Sequence, residues 1–128
     1  MGTIAIESTV LIPYGRSDVY AFCVDAKARS AVPGQEEPVP EFLEQVLDRS
    51  WTEKLVGRSE TVTCSYVLYP VADSTRMTVS AEYAPKGLSR MLSGAREGTY
   101  RKQEAARLAA LKKAVERQVR REIVSDQA

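Results

Sequence analysis

Two adjacent runs of alternating residues constrain this chain more than anything else in it. Val62, Cys64, Tyr66 and Leu68 alternate with Thr61, Thr63 and Ser65. After Pro70 and a short polar stretch, Met77, Val79, Ala81 and Tyr83 alternate with Arg76, Thr78, Ser80 and Glu82. A period of two is that of a strand with one buried face. If residues 71–74 form the loop, Leu68 pairs with Met77, Tyr66 with Val79, Cys64 with Ala81 and Val62 with Tyr83. Every apolar side chain then shares one face, and a slip of one residue would turn half of them into water. The chain must therefore build an antiparallel sheet with one wet face and something apolar against the other.

The remaining patterns supply the partners of that sheet. Ile4, Ile6, Val10 and Ile12 alternate with Glu7 and Thr9, with Ser8 the weak inward position, which predicts a further strand ended by Pro13 and Gly15. Ser17 and Asp18 then provide an N-cap and a first-turn acid for a short helix carrying Val19, Tyr20, Phe22, Cys23 and Val24. Residues 35–40 read as an extended linker. The spacing of Phe42, Leu43, Val46, Leu47 and Trp51 favours an amphipathic helix with Glu41, Glu44 and Asp48 on its solvated side. Leu88, Met91 and Leu92 open a helical pattern that Gly94 and Gly98 weaken, so a kink or break is expected there. From residue 100 to 125, Leu108, Leu111, Val115, Val119 and Ile123 recur every three or four residues and predict a long terminal helix.

Composition then removes whole classes of function. With 128 residues the chain fits a single domain spanning 1–128. It contains no histidine, which excludes Ser-His-Asp and Cys-His machinery, zincin-type helices and a histidine proton shuttle. Two cysteines without histidine cannot close a zinc site, so no metal and no cofactor are expected, and Cys23 and Cys64 read as buried free thiols. Residues 1–10 lack a basic segment and an apolar run, so no secretory signal is expected. No apolar run approaches the ~20 residues of a membrane span, and a cytoplasmic protein is the expectation. The net charge of +1 conceals an asymmetry. Residues 101–128 hold eight basic side chains against four acids, while the rest holds ten against thirteen. The basic residues are interspersed with acids and carry no stacking aromatics beyond Tyr100, so the helix is expected to dock on an acidic body rather than on nucleic acid.

The order of these elements resembles a known family. A leading strand ends in Ile12-Pro13, and a helix follows with Asp18-Val19-Tyr20-Ala21-Phe22 and Asp25. Later come Tyr66-Val67-Leu68-Tyr69-Pro70, Ser74-Thr75-Arg76-Met77-Thr78 and Glu82-Tyr83-Ala84-Pro85-Lys86-Gly87, then the long helix. Over residues 3–25 and about 60–118 the chain resembles the START-like helix-grip superfamily (SRPBCC), which includes polyketide cyclase/dehydrase and lipid-transfer proteins. The resemblance implies an α+β fold in which a curved antiparallel sheet grips the C-terminal helix and a hydrophobic ligand lies between them. By position, Val62, Cys64, Leu68, Met77, Val79 and Ala81 would line the ligand site, with Leu88, Met91 and Leu92 at its mouth. The same residues also suit a plain core. Only the 34 residues from Ala26 to Ser59 separate the first helix from the hairpin, an interval that normally holds several strands. Either residues 41–47 are a strand after all, or the sheet has fewer strands than usual. In the second case a homodimer would cover the exposed edge.

Without histidine, catalysis on this fold would fall to tyrosines and confinement. Tyr66 and Tyr83 are the candidate catalytic residues, as hydrogen-bond donors to a developing enolate during cyclisation of a polyketone. No acid is predicted on an inward strand face, and Asp25 is the only one near a pocket edge. Arg76 falls on the wet face and is given a structural role. Three readings follow: a cyclase-like binder of a hydrophobic small molecule, a non-catalytic carrier, or an interaction module in which the long helix mediates assembly.

Overall fold

A computed structural model describes residues 3–30, 40–57, 60–85 and 93–127. The elements run β1 (Ile4–Ile12), α1 (Arg16–Cys23), α2 (Ala26–Ser30), β2 (Glu41–Val46), β3 (Ser50–Val56), β4 (Glu60–Val71), β5 (Ser74–Pro85) and α3 (Ser93–Gln127). The five strands form one antiparallel sheet in the order β1-β5-β4-β3-β2, and the long α3 packs against one of its faces, mainly across β1 and beside α1. This is the α+β sheet-and-helix arrangement expected from the alternation and from the terminal amphipathic pattern.

The central hairpin has the register read from sequence: Leu68 opposite Met77, Tyr66 opposite Val79, Cys64 opposite Ala81 and Val62 opposite Tyr83. All eight are buried on the face that meets α3. The loop is tighter than the four residues expected. Pairing continues to Val71 and Ser74, and Ala72 takes a left-handed φ of 54° to close the turn. On the outer face Arg76 is exposed and lies 5.4 Å over the Tyr69 ring. There it packs on a neighbour in the sheet and is turned away from the interior.

Residues 41–51 do not form a helix. They belong to a β2–β3 hairpin, which resolves the alternative raised by the family resemblance in favour of strands. Asp48 supplies a left-handed φ of 59° in the turn. On β3 the true period is two: Trp51, Glu53 and Leu55 are buried, while Thr52 and Lys54 are only partly so. β2 is the sheet edge and hardly buries anything, with a bulge between Phe42 and Glu44 and Leu43 exposed. An edge strand without a buried face has no period to read, and its apolar residues matched helical spacing by coincidence. The bulge and the acids Glu41 and Glu44 also make this edge a poor template for strand addition.

Smaller departures have equally local causes. Gly15, not Ser17, is the N-cap of α1 and makes no side-chain cap hydrogen bond. The Ser17 hydroxyl instead donates to Asp48 Oδ2 at 3.0 Å, tying the helix to the β2–β3 turn. Asp25 is exposed and caps α2, its Oδ1 accepting from the backbone N–H groups of Lys27 and Ala28. It is a capping residue, and it does not line the cleft between β1 and α3. α3 runs unbroken from Ser93 through Gly94 and Gly98, about two turns before residue 100. Leu108, Leu111, Val115 and Val119 are buried on it as expected, whereas Ile123 is 46% exposed. Since Leu111 and Val115 are fully buried in the core, they cannot serve as an assembly face.

Candidate functional site

The buried face of the sheet carries charge that the sequence reading did not anticipate. The expectation of no inward acid is wrong because residues 52–56, which carry no expected element, continue β3 and turn Glu53 inward. Glu53 on β3 is completely buried, and Arg29 on α2 grips it with both terminal nitrogens, Nη1 to Oε1 at 2.7 Å and Nη2 to Oε2 at 2.8 Å. The same Oε1 accepts from Trp51 Nε1 at 2.9 Å, and Arg29 Nη1 also donates to the Cys23 carbonyl. Burial opposes the Arg29 charge, but the hydrogen bonds and the attraction of Glu53 outweigh it and hold the guanidinium protonated more firmly than usual. α2 is therefore anchored to the sheet by a bidentate ion pair in the interior.

A second buried pair comes from α3. Arg107 and Glu104, 2% and 0% exposed, are bonded through Arg107 Nη2 and Glu104 Oε1. Tyr83 on β5 donates its hydroxyl to Glu104 Oε1 at 2.7 Å, and Arg107 Nη2 lies 2.8 Å from Cys64 Sγ. One helical turn before Glu104, the Tyr100 ring stacks on Tyr83 with centroids 4.1 Å apart. The basic character of α3 thus includes one arginine that faces inward, to the middle of the sheet. A sequence signal existed: Tyr100, Glu104, Arg107, Leu108 and Leu111 continue one helical stripe through two charged positions.

Between the two ion pairs lies Tyr66. Its ring stacks on Trp51 at 4.4 Å and 11°, and Tyr20 meets the far side of Trp51 edge-on at 6.0 Å. The Tyr66 hydroxyl is fully buried and makes no hydrogen bond among the described residues. Burial raises its pKa well above the usual phenol value, with the Arg107 charge offsetting part of the effect and Glu53 adding to it. Tyr83 is likewise pushed up, first by burial and then by Glu104. Both phenols keep their protons, which suits hydrogen-bond donation and not proton abstraction.

The residues expected to line a ligand site, Val62, Cys64, Leu68, Met77, Val79 and Ala81, are buried on the face that meets α3 together with Tyr66 and Tyr83. Leu88, Met91 and Leu92 fall outside the described residues. A separate open cleft of about 710 Å³ lies on the flank of the molecule, between Ser8–Val10 of β1 and Ala105, Ala109 and Lys112 of α3. It shares Leu108 with the core but none of the polar groups above. Among the described residues no cluster of three or more metal-ligating side chains occurs, and no helix is long and apolar enough to cross a membrane.

The two thiols are structural and titrate late. Burial pushes Cys23 and Cys64 up to about 12 from 9.0, with Arg29 and Arg107 respectively pulling back. The folded state therefore keeps protons that the unfolded chain releases. The stability these thiols contribute is intact below pH 9 and is lost progressively between pH 9 and 12. Alkaline unfolding followed by circular dichroism should show the loss. A thiol reagent at pH 8 should leave both cysteines unmodified in the native protein and titrate both after denaturation.

No protein-family model matches the chain, and no curated protein matches it in sequence. Its likeness is to solved structures. A START superfamily protein from Mycobacterium smegmatis superposes with a TM-score of 0.65 at 13% identity, over 94% of this chain and 99% of that one. The Zhui aromatase/cyclase from Streptomyces gives 0.57 at 15% identity, over 92% and 96%. Norcoclaurine synthase from Thalictrum gives 0.63 at 12% identity, over 91% and 96%. Identities this low establish the fold: the architecture is the START-like helix-grip, and START/SRPBCC proteins are among its structural neighbours.

Proposed function

We propose that this protein binds a hydrophobic small molecule between the concave face of its sheet and α3, in the manner of a polyketide cyclase that folds its substrate against tyrosine hydrogen bonds. The observation that carries this reading is the Tyr66 hydroxyl: fully buried, protonated, set between the two ion pairs, and without a partner among the described residues. Buried polar atoms are nearly always satisfied, so an orphan in the grip of this fold is best explained by a ligand atom. Aromatase/cyclases among the structural neighbours favour the cyclase form of the reading. Tyr66 is then the donor to the developing enolate. Tyr83, whose proton is already committed to Glu104, holds that carboxylate in place.

The test has two stages. A fluorescent apolar probe should bind at one per chain, and Tyr66→Phe should leave that binding within about twofold. In a cyclisation assay on a linear polyketone, Tyr66→Phe should cost about 100-fold in rate, the scale of losing one oxyanion donor. Binding without any cyclisation by the native protein would assign it to the second reading, a non-catalytic carrier. That reading is favoured by the engagement of Tyr83 with Glu104, which leaves Tyr66 as the one uncommitted phenol on the buried face of the described β4–β5 hairpin. Absence of binding, with a dimeric mass in solution, would point to the interaction module.

A further inference from the structure

We propose that Tyr66, Tyr100 and Glu104 form the polar end of the ligand site, and that this end accepts a neutral hydroxyl group and rejects a carboxylate. The inference rests on the reading that a small molecule enters between sheet and helix, and it names the chemistry of that molecule. Three fully buried oxygen atoms make no hydrogen bond among the described residues: Tyr66 Oη, Tyr100 Oη and Glu104 Oε2. They belong to one neighbourhood. Tyr100 stacks on Tyr83, Tyr83 donates to Glu104, Glu104 pairs with Arg107, and Arg107 reaches Cys64, two residues from Tyr66 on the same face of β4.

What these atoms lack can be stated chemically. An ionised carboxylate oxygen only accepts, so Glu104 Oε2 needs a donor. Each phenol needs an acceptor for its proton. A hydroxyl group both donates and accepts, so it can answer either kind of requirement. An ammonium group offers no acceptor to the phenols, and a carboxylate offers no donor to Glu104 while facing its charge. The Arg107 charge is balanced by Glu104, so the full charge of a bound carboxylate would go unmatched, whereas the partial charge of a developing enolate is met by the Tyr66 proton. The ligand class is therefore a neutral hydroxylated hydrophobe, of which a phenol is the simplest case.

Calorimetric titration of the native chain with naphthol, naphthalene and naphthoate tests this directly. Naphthol should bind about tenfold more tightly than naphthalene, as expected for hydrogen bonds that include a charged acceptor, and naphthoate should bind more weakly than either. Tyr66→Phe and Tyr100→Phe should each lower naphthol affinity about threefold to tenfold and leave naphthalene unchanged. Glu104→Gln should let naphthoate in. Should Glu104→Gln disturb folding by breaking the pair with Arg107, Tyr100→Phe, which keeps the ring stack on Tyr83, decides alone. Equal affinity for naphthol and naphthalene would mean that the three atoms hold water only, overturning the inference while hydrophobic binding stands. Naphthoate binding most tightly would also overturn it. Failure of all three to bind would defeat the underlying reading and this inference with it.

Discussion

Replacing Glu53 with alanine should cost about 3–5 kcal/mol of folding stability, read as a shift in the urea midpoint at unchanged slope. The variant leaves the Arg29 guanidinium in the interior with its principal acceptor gone, and leaves Trp51 Nε1 without a partner. A domain of this size has a total stability of roughly 5–15 kcal/mol, so the loss is a large fraction of the whole. The size of the effect comes from the uncompensated charge, not from the net worth of the pair. The double substitution Arg29→Met with Glu53→Leu should accordingly recover most of it, because a buried ion pair and a well-packed apolar pair are often near parity. A single-variant loss under about 1 kcal/mol would show that water reaches Arg29 and that α2 is not fixed to the sheet in this way.

Trp51→Ala should be comparably severe, at about 3–5 kcal/mol. Trp51 is 2% exposed, stacked on Tyr66 and met edge-on by Tyr20, so its removal opens a large void beneath α1 and β4. Trp51→Phe separates packing from hydrogen bonding. It keeps a ring against Tyr66 and loses the Nε1 donor to Glu53, and about 1–2 kcal/mol is expected. The two sites share Glu53, so the losses of Trp51→Ala and Glu53→Ala should fall short of additive. Full additivity would mean that the tryptophan and the ion pair act independently, against the geometry.

How much of this was legible in the sequence follows from where burial is one-sided. The β4–β5 register was fixed by eight residues that all must face inward, and β1 was fixed in the same way by Ile4, Ile6, Val10 and Ile12. The stripe of α3 was legible for the same reason. β2 was not, because an edge strand with little burial carries no period. The candidate site was half legible. Tyr66, Tyr83 and the aliphatic lining follow from alternation. Glu53, Glu104, Arg107 and Arg29 do not, because a charged residue is taken as solvated unless its neighbours in the period are all buried. Trp51-x-Glu53-x-Leu55 meets that condition only once residues 50–56 are seen as a strand. The pairing of Arg29 with Glu53 depends on α2 docking on β3, which no local pattern encodes.

The central claim, a ligand held between sheet and helix, is tested most directly by the single tryptophan of the chain. Trp51 lies on the concave face against Tyr66, so its emission reports on anything seated there. Titration with a brominated naphthalene, an apolar heavy-atom quencher, should quench Trp51 saturably with one site per chain, and an unbrominated apolar competitor should reverse the quenching. Quenching that rises linearly without saturation, or none at all, would show that nothing enters between the sheet and α3 and would contradict the account.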